Sequence, residues 1–128
     1  MTPEELNQLS AKVLDAAMMV HKVMGPGLLE AVYHHCLIDE LRSRGILVET
    51  MVPVPLFYRG NSLEKEYIID LLIENEIILE LKSIEGILPV HEAQIISYLK
   101  LADKRLGFLI NFNVPLLKQG FRRFVNKF

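Results

Sequence analysis

Two acids and an amine stand at strand-like spacing in mid-chain: Asp70, Glu80 and Lys82. Side chains alternate faces along a strand, so Glu80 and Lys82 share one face and Leu79 and Leu81 the other. Asp70 belongs to the preceding apolar run. A three-residue loop of Glu74, Asn75 and Glu76 pairs Asp70 directly across from Glu80. A two-residue loop would pair it with Leu81 and send the carboxylates to opposite faces. With the odd-numbered loop, or a bulge, two carboxylates and an ammonium meet beside apolar Ile68, Leu72 and Ile78. Like charges placed there are costly unless something compensates them. Mg²⁺ suits the pair, because it takes oxygen ligands, often one or two carboxylates, and keeps several waters. Mn²⁺ is expected to substitute. An ion so held polarises a phosphate and lowers the pKa of a bound water, while Lys82 orients that water or meets charge growing on the phosphate. The plainer alternative, a cross-strand salt bridge on a wetted face, sits badly with those apolar neighbours.

Other polar residues have helical spacing. Glu30, Tyr33 and Leu37 share one helix face, as do His91, Gln94 and Tyr98 on a later helix. Each has an ordinary explanation beside the chemical one. An acid in a first helical turn is stabilising by itself, and Gln94 with Tyr98 could be a hydrogen-bonded buried pair. His34, His35 and Cys36 invite a zinc reading that geometry rejects: consecutive helix positions point about 100° apart and cannot all converge on one ion. Cys36 reads as a small core residue.

The elements that must carry these residues follow from patterning. Thr2-Pro3-Glu4-Glu5 is a helix start, with Thr2 as cap, Pro3 at the first helical position and Glu5 completing a capping box. Leu6, Leu9, Val13, Ala16, Val20 and Met24 then form one inward stripe. Gly25-Pro26-Gly27 ends that helix. A second helix turns Leu29, Val32, Cys36, Leu37 and Leu41 inward and stops at Gly45. Extended structure begins at Ile46, and Pro53 and Pro55 consign this strand to an edge or to irregularity. Arg59 to Ser62 has turn chemistry. Glu66 to Ile73 and Ile77 to Lys82 form a hairpin. Pro89 opens a third helix reaching about Lys104, and Gly107 to Asn111 is a last strand reached by a βαβ crossover. Beyond it, Lys118, Arg122, Arg123 and Lys127 interleave with Phe121, Phe124 and Phe128. We read this as a tail that packs its phenylalanines and keeps its charges wet, with a nucleic-acid backbone edge as the sharper option.

The totals bound the rest. At 128 residues the chain suits one domain, residues 1–128, with a core of its own. Hydrophobic residues make up 51% and charged residues 23%, which excludes intrinsic disorder. No apolar run is long enough to span a bilayer, and a signal-peptide layout is missing. A single cysteine fits a reducing, cytoplasmic setting. The net charge of −2 is unlike that of a protein that coats DNA, so any nucleic-acid contact must use a local patch or a bound cation. The high apolar fraction also leaves room for a homodimer.

The ordered blocks resemble a known family. Gly27-Leu28-Leu29-Glu30-Ala31-Val32-Tyr33 is similar to the G-x-x-E-x-x-Y signature of the GxxExxY proteins. Tyr67-Ile68-Ile69-Asp70-Leu71, Glu80-Leu81-Lys82, Gln94-Ile95-Ile96-Ser97-Tyr98, Asn111-Phe112-Asn113 and Gly120-Phe121-Arg122-Arg123 look like that family's later blocks, in order. One departure is Ile69, where the name of the wider PD-(D/E)XK nuclease superfamily has proline. The resemblance implies an α/β, restriction-endonuclease-like core, a mixed sheet flanked by helices, here in the order α-α-β-β-β-α-β. It further implies that Asp70, Glu80 and the Leu81 carbonyl hold Mg²⁺ and that Lys82 is the catalytic lysine. Glu30 would be the helix-borne acid near the metal, and Gln94 and Tyr98 would line the pocket. The expected activity is hydrolysis of nucleic-acid phosphodiesters, DNA before RNA. A silent binding module on the same fold is the alternative.

Overall fold

A computed structural model describes residues 1–128. Helix α1 (Pro3–Met24) begins as its sequence requires: the Thr2 hydroxyl accepts from the Glu5 N–H and the Glu5 carboxylate from the Thr2 N–H. After a turn through Gly25 and Gly27, both at positive φ, α2 runs Glu30–Ser43. Strands β1 (Val48–Tyr58), β2 (Asn61–Ile73) and β3 (Ile77–Lys82) follow, then α3 (Pro89–Leu101) and β4 (Leu106–Asn111). A 3-10 turn, Leu117–Gly120, leads into β5 (Phe121–Val125).

The five strands form one sheet in chain order, β1-β2-β3-β4-β5. All neighbours are antiparallel except β3 and β4, which α3 links in parallel. The mixed sheet is therefore as expected, but the tail is not: its residues supply a fifth strand at the edge. Strand β1, with Pro53 and Pro55, takes the opposite edge, where missing N–H donors cost nothing. Beyond Leu56 the β1–β2 ribbon leaves the core, and residues 57–67 are exposed.

Helices cover both faces. On one side α1 and α2 enclose the larger core with Leu71, Ile73, Leu79, Leu81 and Phe108. On the other, α3 packs Ile95, Tyr98 and Leu99 on Leu72, Ile78 and Leu109. This second contact is close, since a Cβ on Gly107 would stand 3.2 Å from Ile95 and Leu99 side-chain carbons. Strand β3 is consequently buried on both faces along nearly its whole length, as a central strand's continuous apolar run predicts. Two inward assignments fail. Met24 and Leu29 are exposed, because α1 ends and the Gly25–Leu29 turn carries both away from the core. Tyr33, read as part of a polar face, is fully buried instead. No helix is long and apolar enough to cross a membrane.

Candidate active site

The decisive local feature is the turn joining β2 to β3. Glu74 and Asn75 are both left-handed, the Ile73 carbonyl accepts from the Glu76 N–H, and Ile73 pairs with Ile77. The loop thus has three residues, and the register continues through Leu71↔Leu79 toward Asp70 and Glu80.

At that point the ladder stops and the strands part. Two side-chain bonds replace it. The Asp70 N–H donates to Glu80 Oε2 at 2.8 Å, and the Leu81 N–H donates to Asp70 Oδ2 at 2.9 Å. Each carboxylate therefore caps a backbone N–H of the other strand that the fork would have orphaned. The face pattern breaks here as well: Ile69 and Leu72 both pack toward α3, while Leu71 and Ile73 pack toward α1 and α2. Opposite Asp70, Met51 takes φ 52°, so the neighbouring strand is kinked too.

Burial sets the electrostatics. Glu80 is 8% exposed. Desolvation, then the charge of Asp70, pushes its carboxyl up to about 8, against the pull of the Asp70 N–H and of Lys82. Lys82 is half-buried on the same strand and makes no ion pair. Across the fork, His34 of α2 stands 3.4 Å from Asp70 and 3.7 Å from Glu30, both measured from Nε2. The bond to Asp70 raises the imidazole pKa against the opposing effect of burial. On α3, Tyr98 is buried, and desolvation followed by the charges of Glu80 and Asp70 raises its pKa. Its ring tilts against Tyr67 with centroids 5.1 Å apart.

The expected residues accordingly converge to different degrees. Asp70 and Glu80 interlock, and Tyr98 lies near enough to feel both charges. Glu30 is exposed at the first position of α2 and reaches the pair through His34. Leu81 buries its side chain in the larger core and presents only backbone to the site. Gln94 is exposed and lines a hollow of about 150 Å³ with Tyr67, Val90, Ala93 and Ser97. It makes no hydrogen bond to Tyr98, so the buried-pair explanation fails. His34 was missed. The available signal is spacing, since Glu30 and His34 are one helical turn apart and present their side chains together. His35 turns away to Asp39, 3.1 Å off on the exposed face.

The turn that carries Glu30 is fastened to the core. The Tyr33 hydroxyl donates to the Gly25 carbonyl at 2.6 Å and accepts from the Leu28 N–H at 3.1 Å. Its ring stacks on Phe112 at 4.6 Å. The Ser83 hydroxyl, one residue past Lys82, donates to the Leu28 carbonyl. An open groove of about 550 Å³ between this turn, Ser83 and Asn113 runs alongside Glu30.

Residues 7–124 match the PD-(D/E)XK nuclease superfamily. The chain belongs to that superfamily. No curated protein and no solved structure matches it. Nucleases of this superfamily use divalent metals, and the donor set here fits one. A buried carboxyl whose proton is held up to about 8 beside a second acid is one that a bound cation would help to ionise. Glu30, His34 and Asp70 offer three ligand atoms within 4.8 Å of one another.

Proposed function

We propose that this chain is a divalent-cation-dependent nuclease of the GxxExxY kind, cutting phosphodiester bonds in nucleic acid. The observation that carries the reading is the interlocked Asp70–Glu80 pair at the strand fork, with Lys82 one step further along the same strand. Asp70, Glu80 and the Leu81 carbonyl would hold Mg²⁺ or Mn²⁺, with Glu30 beside them. Such a cation, when bound, supplies charge that polarises the phosphate and acidifies the attacking water. The residues do the remainder. Lys82 aligns the water and meets negative charge growing on the phosphate. Tyr98 closes the α3 side, and Gln94 flanks the entering strand through the hollow it shares with Tyr67. The backbone holds Asp70 and Glu80 in place, so neither must reorganise when substrate arrives.

The test is a panel of single-stranded, duplex and branched DNA, then RNA, incubated with and without Mn²⁺ beside Lys82→Ala and Asp70→Asn. Cleavage should need the cation and fall by at least about 100-fold in either variant, with thermal unfolding of Lys82→Ala close to wild type. Cleavage surviving both substitutions would reject the assigned roles. Binding without cleavage across the whole panel would favour a silent module that uses the fold only to hold its partner.

A further inference from the structure

The cluster that the superfamily's sequence blocks do not account for is His34 wedged between two acids. Its Nε2 lies 3.4 Å from Asp70 Oδ2 and 3.7 Å from Glu30 Oε2, and the three atoms fall within 4.8 Å of one another. Glu30 and His34 sit one turn apart on α2, the spacing by which a single helix delivers two ligands to one ion. Atoms sharing an octahedral ion at about 2.1 Å are about 3 Å apart at adjacent corners and about 4 Å at opposite ones, so the observed separations need little closure. The arrangement is also held rigidly. Tyr33, three residues after Glu30 and one before His34, is pinned at both ring and hydroxyl.

We propose that His34 is a nitrogen ligand of the site and sets its metal preference toward first-row transition ions, Mn²⁺ among them, over Mg²⁺. An imidazole is a poor partner for a hard ion that wants oxygen and keeps its waters, whereas transition ions accept mixed nitrogen and oxygen sets readily. An all-oxygen site of Asp70, Glu80, Glu30 and the Leu81 carbonyl would discriminate far less. The inference rests on the metal-site reading above and orders the two ions that reading allows.

Metal binding to the purified protein without substrate tests it. Mn²⁺ is titrated by its free-ion paramagnetic signal and Mg²⁺ by competition. Bound Mn²⁺ is then examined by pulsed electron paramagnetic resonance for coupling to an imidazole nitrogen. Wild type should prefer Mn²⁺ by about tenfold or more and show the nitrogen coupling. His34→Gln should lose the coupling and about tenfold in Mn²⁺ affinity, with Mg²⁺ affinity changed less than about twofold. His35→Gln should keep both, because His35 faces Asp39 and solvent. Asp70→Asn should lose both ions. If His34→Gln binds Mn²⁺ like wild type while Asp70→Asn does not, the site stands and the nitrogen ligand falls. If His34→Gln tightens both ions equally, His34 is only a cation competing for Asp70, and the proposal is wrong. If wild type binds neither ion, or Asp70→Asn binds both unchanged, the metal-site reading itself collapses.

Discussion

At the scale of single residues, Glu80 is where function and stability oppose each other. Its carboxyl sits near pH 8 in the folded chain and near 4.5 when unfolded. The sign follows directly. Between those values the folded state holds a proton that the unfolded state has lost, so stability declines as pH rises from about 4.5 and levels off above about 8. By linkage the cost at pH 8 is roughly 3–5 kcal/mol. Glu80→Gln removes the charge, and its amide oxygen can still accept from the Asp70 N–H. In metal-free buffer this variant should melt several degrees above wild type at pH 8 and at nearly the same temperature at pH 4.5. A melting difference that stayed constant with pH would contradict this account. Added Mn²⁺ at pH 8 should narrow the gap by stabilising wild type. The meeting of Asp70 with Glu80 is legible from spacing, because strand alternation and loop length leave few ways to arrange the two acids. His34 is not, since a lone histidine one turn from an acid is unremarkable until the partner strand brings Asp70 to it.

Among elements, the β2–β3 turn and the turn before α2 do the positioning. The first is partly legible: the sequence allows a two- or a three-residue loop, and the three-residue one found here sets the parity that brings Asp70 to Glu80. The fork is not, because it depends on two backbone donors choosing carboxylates over the ladder. The second turn hid its logic in Tyr33. Positions 30, 33 and 37 share one side of α2 by spacing, but Glu30 is the helix's first residue and stays at the rim while Tyr33 and Leu37 are fully buried. Its buried hydroxyl serves the Gly25 carbonyl and the Leu28 N–H at once. Tyr33→Phe keeps the stacking on Phe112 and deletes both bonds, which should cost about 1–3 kcal/mol in urea unfolding. Hydrogen exchange at the Leu28 amide should accelerate more than at amides in the middle of α2. Equal acceleration throughout the helix would mean that the hydroxyl holds the helix rather than the turn.

For the molecule as a whole, the C-terminal segment closes the sheet and reaches back to the site. The run Phe121-Arg122-Arg123-Phe124-Val125 shows no period of two, so its sequence does not announce a strand. The structure supplies the reason: Phe121 packs toward the α1–α2 core and Phe124 toward the α3 core, three residues apart and on opposite faces. An edge strand half-covered on both sides leaves no alternation to detect. Gly120 makes the docking feasible. A Cβ there would lie 2.1 Å from the Asn111 carbonyl oxygen, closer than any packing allows, and the clash is with backbone. Asn111 is itself buried and clamps the segment after β3. Its Oδ1 accepts from the Ile84 and Asn113 N–H groups, and its Nδ2 donates to the Ile84 carbonyl. The adjacent Phe112 N–H donates to the Lys82 carbonyl. A Cβ at Gly120 would therefore press on Asn111, the residue next to the backbone bond that holds the strand end carrying Lys82. Gly120→Ala should destabilise the fold by about 3 kcal/mol, as overpacking against backbone does. Below its lowered melting temperature it should also cleave more slowly than wild type. Lys118→Ala, two residues earlier on the exposed side of the same turn, should stay within about 0.5 kcal/mol of wild type. If Gly120→Ala melts like Lys118→Ala, the fifth strand is not anchored through this contact.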